Sequence, residues 1–306
     1  MTKYIIKRIV VTIPIIIGVI FLTFVLMNLI PGNPVSVLLN ERISPEIVQR
    51  VSEQLHLNDP IHIRFFKYLE GLIQGDMGTS FVMNQPVSTL IARAFVNTIK
   101  LTITSTIVAW SIGIPLGIIA ALCKNSIVDK FLMILSVFGI STPSFWLAIL
   151  LQYLIAYKLQ LVPISGFYEP IHLVLPSIVL GWGMSGSISR LVRANMIETM
   201  NKDYIKTAIS KGQSNLKTVI FHALKNSILP VITIMTLQVT SLLGGAMITE
   251  NIFSIPGIGT LSISALTNRD MPVLQGTIIL STSLIILGNL VADIIYSLID
   301  PRIRYD

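Results

Sequence analysis

The residue types that most often carry chemistry do not converge on one site in this sequence. The four histidines, His56, His62, His172 and His222, are scattered and show none of the spacings that hold a metal ion. The single cysteine, Cys123, has no second thiol in the chain for an internal disulfide. The sequence contains no glycine-rich phosphate loop and no constellation of nucleophile, base or metal ligands. We therefore expect a chain that is not an enzyme and that binds no ATP, metal or other cofactor by itself.

A basic stretch at residues 190–230 offers the clearest contact surface, because it lies between two apolar runs. Tyr204 and Ala208 recur at helical spacing, and Gly212 is placed to end the helix. The small Ala208 and Gly212 allow a partner surface to approach closely, while Lys211 keeps the exposed face soluble. A membrane chain without an energy-converting motif receives work from a partner, and we expect that contact here. The alternative is a basic helix that lies on anionic lipid.

Membrane helices must position this stretch, because the composition is that of an integral membrane protein. Hydrophobic residues make up 53% of the chain, charged residues only 12%, and the mean hydropathy is +0.77. A helix needs ~20 apolar residues to cross a hydrocarbon core about 30 Å thick. Six runs without Asp, Glu, Lys or Arg meet this length, at residues 9–30, 101–123, 131–157, 170–189, 226–249 and 271–292. We expect an all-α integral membrane protein with six transmembrane helices.

The distribution of charges predicts that both termini lie in the cytoplasm. With the N-terminus inside, most Lys and Arg residues fall in cytoplasmic segments and most acidic residues fall outside. The net charge of +7 is then explained by topology, and we expect no nucleic-acid partner. The first apolar run is too long for a secretory signal peptide, and no small-residue cleavage site follows it. We expect it to be retained as the first helix.

The sizeable polar segment at residues 31–97 is expected to form a small helical cap on the outer surface. Ser44 followed by proline predicts the start of one short helix. A second helix is expected from Pro60, with Phe65 and Ile73 turned inward. The cap either shields the ends of the membrane helices or provides a docking surface or plug near the entry path.

Long motifs occur in a fixed order along the whole chain. They are Pro31-Gly-Asn-Pro34, Leu57-Asn-Asp-Pro60, Gly75-Asp-Met-Gly-Thr-Ser80, Pro143-Ser-Phe-Trp146, Glu250-Asn-Ile-Phe253, Pro256-Gly-Ile-Gly259, Asp270-Met-Pro-Val-Leu-Gln275 and Asp300-Pro-Arg-Ile-Arg304. The stretch from Thr207 to Gly212, followed by Leu229-Pro230, resembles the EAA loop of bacterial ABC importer permeases. It differs at Thr207, where the broad pattern has an acidic residue, and at Ile209, which replaces the second alanine. The full set resembles the B-type permeases of dipeptide, oligopeptide and nickel systems.

This resemblance implies a type I ABC importer permease fold in a multi-pass protein of the bacterial cell membrane. Peptides are the implied cargo, and nickel or a metal chelate is the alternative. A secondary transporter is the alternative of another class, although neither midplane carboxylates nor inverted repeats are evident. The implied partners are a second related permease, two ATPase subunits that bind ATP and Mg, an extracytoplasmic substrate-binding protein and membrane lipid. The implied segments are the N-terminus with the first helix (1–30), the cap (31–97), a five-helix transmembrane domain that includes the coupling loop (98–299) and a cytoplasmic tail (300–306).

The resemblance also implies roles for single residues. The residues expected to couple the chain to the ATPase are Tyr204, Ala208, Lys211, Gly212 and Pro230. The candidates for the transport pathway are Glu250, Pro256, Gly257 and Gly259, together with Asp293, which is a candidate because it is an acidic residue within reach of the membrane interior. Glu250 could meet a cationic group on the cargo, and the alternative is that its segment only caps the fifth helix. For Asp293 the alternative is a structural pair with a basic residue.

Overall fold

This computed structural model describes residues 2–29, 59–214 and 217–299, and its regular elements there are helices, beside one isolated β-bridge between Thr79 and Pro86. The helices, in chain order, are α1 (Thr2–Leu29), α2 (Ile61–Ile73), α3 (Val87–Leu122), α4 (Ile127–Ser141), α5 (Ser144–Leu151), α6 (Val174–Met200), α7 (Asp203–Ser210), α8 (Lys225–Leu243), α9 (Met247–Ile252), α10 (Ile258–Thr267) and α11 (Met271–Ile299). A π-helical turn continues α5 and another precedes α8, at Gln152–Lys158 and Thr218–Leu224. A short 3-10 turn, Pro170–Leu173, leads into α6. The all-α prediction is confirmed for these residues.

Several helices are long and apolar enough to cross a membrane. Within the described ranges, the unbroken candidates are Val87–Leu122, Pro170–Met200 and Met271–Ile294. The count rises to five if the bent pair of α4 with α5 and the bent pair around Pro230 each form one span. The apolar part of α1 is shorter, at Val10–Leu26. An integral membrane protein is therefore supported, while the count of six spans stays a prediction.

The third apolar run, 131–157, does not form one straight helix. Its two halves, α4 and α5, meet at 99°. The break falls at Thr142 and Pro143, because proline has no backbone N–H and disfavours helical geometry in the residue before it. Thr142 accordingly has an extended ψ of 120°. The sequence interpretation of this run as a single crossing did not include this break.

Helix α6 lies at the centre of the bundle between α3 and α4. Gly117 on α3 approaches α6 so closely that a Cβ atom on it would lie 2.6 Å from the carbonyl oxygen of Ser189. Gly113, one turn earlier, faces α6 with a corresponding distance of 2.8 Å to the carbonyl oxygen of Ser185. On the other side, Gly186 of α6 packs directly against the backbone of α4. Small residues thus allow the three helices to contact each other along their backbones.

Helix α2 packs on the C-terminal half of α1. It begins after Pro60, and Phe65 is buried against Ile20 and Phe24. Ile73, expected to face inward, is 81% exposed. The packed face contains Leu69 and Leu72, four and seven positions after Phe65. Ile73 follows Leu72 and is therefore turned about 100° around the helix from it. The other expected cap helix, after Ser44, lies outside the described residues.

Candidate functional site

The candidate coupling site is built on α7, a short helix that follows directly after the long helix α6. Asp203 lies in its first turn, and Gly212 beyond its C-terminal end has a φ of +80°, a conformation that favours glycine. Lys206 bonds to the carboxylate of Asp203 at 2.9 Å on the exposed face. This hydrogen bond holds the pKa of Asp203 below its ordinary value. The start of α7 therefore has a local charge pair with no net charge.

One face of α7 is fixed to the rest of the protein. Ile205 is 1% exposed and belongs to the same buried cluster as Val192 and Met196 of α6. Tyr204 and Ile209 are about half exposed, at 46% and 49%. An apolar contact thus holds α7 to the end of α6, while an aromatic and an aliphatic side chain remain available to a partner.

An open groove of about 700 Å³ runs beside α7. Its lining residues are Tyr204, Thr207, Ala208, Lys211, Gly212, Gln213, Ser214, Lys217 and His222. Four of the five predicted coupling residues therefore share one surface, and the fifth, Pro230, lies within α8 outside this lining. No atom lies within 4 Å of the position a Cβ would take on Gly212, so the space beside it is open. The groove can receive a protein segment of complementary shape.

Sequence reasoning did not assign the distal wall of this groove. Lys217 and His222 line it from the segment before α8. His222 drew attention only as one of several scattered histidines, and no local pattern links it to Tyr204. The two walls belong to different helical segments, whose contact a linear motif does not encode.

A second cavity, apolar and about 530 Å³ in volume, lies among α3, α8 and α11. Its lining residues are Trp110, Ile232, Met235, Thr236, Val239, Thr240, Leu243, Leu284, Leu287, Gly288 and Val291. Only two of these, Thr236 and Thr240, carry hydroxyl groups, and both donate to backbone oxygens of their own helix. The cavity therefore presents an apolar wall in the membrane part of the chain. None of these residues stands out from the sequence.

The carboxylate of Glu250 lies in a buried hydrogen-bonded group, which we call the Glu250 anchor. Glu250 is 0% exposed and accepts hydrogen bonds from the hydroxyl of Thr98 at 2.9 Å and the backbone N–H of Thr260 at 3.1 Å. Asn97 donates from its side-chain amide to the carbonyl oxygen of Pro256 at 2.9 Å. The anchor therefore joins α3 to the segment between α9 and α10. Both bonded oxygens of the carboxylate face donors of the chain itself.

The glycines of the Glu250 anchor are required because neighbouring atoms lie too close to their backbone to leave room for a side chain. A Cβ on Gly257 would lie 2.6 Å from the carboxyl group of Glu250, and one on Gly259 would lie 2.5 Å from the Cα atom of Met247. The backbone N–H of Ile258, between them, donates to the hydroxyl of Thr98 at 2.9 Å. The structure thus brings four predicted pathway residues together as one packed unit.

Asp293, the fifth predicted pathway residue, lies apart from this unit. It is 22 residues along α11 from Met271, a distance of about 33 Å at helical rise. Its carboxylate pairs with Arg8 of α1 at 2.7 Å, and both side chains are partly exposed. The structure therefore shows Asp293 in a contact between the first and last described helices.

Two other buried carboxylates were not singled out from the sequence. Asp270 accepts a hydrogen bond from the hydroxyl of Ser80 at 2.5 Å, and Asp129 accepts two from Arg193 at 2.5 and 2.7 Å. The partners are separated by 190 and 64 positions in the sequence, so no short pattern signals either contact. Among the described residues, no group of three or more His, Cys, Asp or Glu is placed to hold a metal ion.

Two family models cover nearly the whole chain. The model described as binding-protein-dependent transport system inner membrane component matches residues 113–305, and its N-terminal counterpart matches residues 1–102. The chain is 37% identical over 316 residues to the oligopeptide transport system permease protein AppB of Bacillus subtilis (strain 168). It is 38% identical to the dipeptide transport system permease protein DppB of Alkalihalophilus pseudofirmus and to the glutathione transport system permease protein GsiC of Salmonella typhimurium. Each of these alignments covers 100% of both chains.

The fold is also similar to that of a solved transporter. A chain of the inward-facing MetNI methionine ABC transporter aligns with a TM-score of 0.60 and 16% identity, covering 71% of this chain and 100% of that one. This likeness concerns the fold alone. The family model that matches residues 113–305, together with relatives that are 37% and 38% identical over the whole chain, establishes that this chain belongs to the family of binding-protein-dependent transport system inner membrane components.

Proposed function

We propose that this chain is a permease subunit of an ATP-driven importer and forms half of a translocation pathway for peptides. The observation that carries the proposal is its alignment, from end to end, with permeases named for oligopeptide, dipeptide and glutathione transport. The exposed groove at α7 supports it, because a transport subunit of this family needs a surface through which separate ATPase subunits act. ATP and Mg would be bound by those subunits and not by this chain.

The proposed assembly contains a second related permease, two ATPase subunits and an extracytoplasmic substrate-binding protein. In this arrangement the chain crosses the membrane six times with both termini in the cytoplasm, and α2 belongs to a cap on the outer face. The α7 groove then faces the ATPase, with Tyr204, Ala208, Lys211 and Gly212 at the contact and Pro230 at the bend that returns the chain to the membrane. The basic character of this region agrees with a cytoplasmic position.

Transport would proceed by alternating access. Closure of the ATPase dimer on ATP moves the coupling helices, and that movement changes the side to which the pathway opens. The apolar cavity among α3, α8 and α11 is the proposed contribution of this chain to the pathway, where apolar walls let cargo pass without binding it tightly. The Glu250 anchor would hold the extracytoplasmic end of the pathway in shape. Pro256, Gly257 and Gly259 would form the turn of the chain within this anchor.

Uptake by intact cells tests the proposed cargo. Cells that lack the chain, and the same cells supplied with it again, would be given labelled dipeptides, longer peptides and nickel. We expect peptide uptake to be lost and restored while nickel uptake stays unchanged. Loss of nickel uptake alone would contradict the peptide assignment and replace the cargo with a metal or metal chelate. Peptide uptake that persists in cells depleted of ATP would instead favour a secondary transporter.

A further inference from the structure

The ion pair between Asp129 and Arg193 is an unusual contact in the described part of the chain, because it is charged, bidentate and largely buried. The two guanidinium nitrogens Nε and Nη2 of Arg193 lie 2.5 and 2.7 Å from the two carboxylate oxygens of Asp129. The side chain of Asp129 is 4% exposed and that of Arg193 is 26% exposed. A paired fork of this kind fixes orientation as well as distance.

Asp129 also fixes the turn that joins α3 to α4. Its carboxylate accepts a hydrogen bond from the backbone N–H of Asn125 at 2.9 Å, and its own backbone N–H donates to the hydroxyl of Ser126 at 3.2 Å. Asn125 has a φ of +64°, so the turn is tight. One carboxylate therefore connects the end of α3, the start of α4 and the side of α6.

Arg193 lies close to the helix that carries the coupling groove. It is seven residues, or about 10 Å, before the end of α6 at Met200, and α7 begins at Asp203. Its neighbours Val192 and Met196 share a buried cluster with Ile205 of α7. The last turns of α6 thus carry both the ion pair with α4 and the side chains that pack on α7.

The pair is not needed merely to keep α4 and α6 in contact. The two helices already meet deeper in the bundle, where Gly186 packs on the backbone of α4 and the hydroxyls of Ser136 and Ser189 lie 2.6 Å apart. Burying two charges costs free energy that their mutual attraction only partly returns. We therefore expect the Asp129–Arg193 pair, which lies nearer to α7 than these contacts do, to fix the orientation of the last turns of α6.

We propose that Asp129 and Arg193 are positioning residues for coupling, an inference that rests on the proposed function. Their pair holds the α7 end of α6 against the turn between α3 and α4, so that a push on α7 moves the helices as one body. Without the pair, α7 would still dock on the ATPase, but its displacement would be absorbed by bending of the last turns of α6. ATP hydrolysis would then continue with little transport.

The test compares three single variants in the complete transporter, reconstituted with its partner permease, ATPase subunits and binding protein in lipid vesicles. Asp129→Asn keeps the shape and removes the charge, and Arg193→Lys keeps the charge and removes the bidentate geometry. Glu198→Gln is the matched control, because it breaks an exposed pair with Lys202 on the same end of α6. The readout is peptide imported per ATP hydrolysed, together with the amount of complex recovered.

We expect Asp129→Asn and Arg193→Lys to lower the peptide imported per ATP tenfold or more at an unchanged yield of complex, and Glu198→Gln to match the wild type. A lower yield with an unchanged ratio in the complex that is recovered would show a purely structural pair and overturn the inference. If Asp129→Asn fails to accumulate, the double variant Asp129→Asn with Arg193→Gln, which leaves no unpaired charge, is measured in its place against the same criterion.

The wild-type complex separates this inference from the proposed function. If it hydrolyses ATP but imports no peptide, the cargo assignment fails. The variants are then compared by the stimulation of ATP hydrolysis that the binding protein produces, which requires no knowledge of the cargo. Loss of that stimulation in Asp129→Asn and Arg193→Lys, but not in Glu198→Gln, supports the positioning role, and its retention in all three overturns it.

Discussion

Glu250 is buried completely and yet has a clear local reason to be there. Its carboxylate accepts hydrogen bonds from α3 and from the start of α10, two elements that no covalent turn joins directly. A buried polar group is tolerated when its hydrogen bonds are made, and each donor left without a partner costs free energy. Glu250 therefore stabilises the Glu250 anchor whether or not cargo passes near its carboxylate.

Replacing Glu250 with alanine is expected to destabilise the protein. The hydroxyl of Thr98 and the backbone N–H of Thr260 would lose their acceptor, at a cost of about 1–3 kcal/mol for each buried donor left unpaired. Glu250→Gln, which keeps one acceptor oxygen, should fall between alanine and the wild type. Thermal unfolding in detergent measures the difference. Glu70→Ala on the exposed face of α2 is the control, and an equal loss in both alanine variants would contradict this role of Glu250.

At the scale of elements, the sequence was most informative where the cause is local. Charge-free runs predicted the long helices, and Pro60 correctly predicted the start of α2, because where a helix begins depends on neighbouring residues. The bend between α4 and α5 also has a local cause in Pro143, but Pro115 lies inside α3 without ending it. Whether a proline breaks a helix thus depends on the packing around it.

The contact between α3 and α6 depends on the absence of a side chain at Gly117. A Cβ there would lie 2.6 Å from both the carbonyl oxygen of Ser189 and the Cβ of Val192, so Gly117→Ala must push the helices apart. We expect a loss of about 1–3 kcal/mol, as for other overpacked sites. Gly183→Ala on α6 is the matched control, because its Cβ would meet the nearest atom at 3.8 Å.

The change in the free energy of unfolding should therefore have opposite signs in the two alanine variants. In Gly183→Ala the added methyl group has room, and the higher helix propensity of alanine favours the folded state by up to about 1 kcal/mol. Thermal unfolding of both variants in detergent provides the comparison. A melting temperature for Gly117→Ala at or above that of Gly183→Ala would show that the two helices are not held at the described distance.

At the scale of the whole molecule, the sequence predicted four residues that share the α7 groove, but it did not predict the depth of that groove or the contacts behind it. Tyr204, Ala208 and Gly212 were accessible to prediction because they lie within nine residues of one another. The opposite wall at His222 lies in the segment before α8, and the ion pair of Asp129 with Arg193 joins α4 to α6. Their pairing is decided by tertiary packing, which hydropathy along a single chain does not record.

The proposed function requires that work from ATP enters the chain at α7. Two glycines allow an effect on coupling to be separated from an effect of backbone strain. Gly212 beside the groove and Gly75 after α2 have nearly the same φ, +80° and +82°, and neither has an atom within 4 Å of its Cβ position. A leucine at either site carries a similar strain of about 1–2 kcal/mol. Only Gly212 faces the proposed ATPase contact.

The most direct measurement is therefore peptide imported per ATP hydrolysed by the complete transporter carrying Gly212→Leu or Gly75→Leu. With equal amounts of both variants in the membrane, we expect Gly75→Leu to keep the wild-type ratio and Gly212→Leu to lose at least tenfold while ATP hydrolysis continues. A wild-type ratio in Gly212→Leu, or the same loss in both variants, would contradict the assignment of the α7 groove as the coupling site.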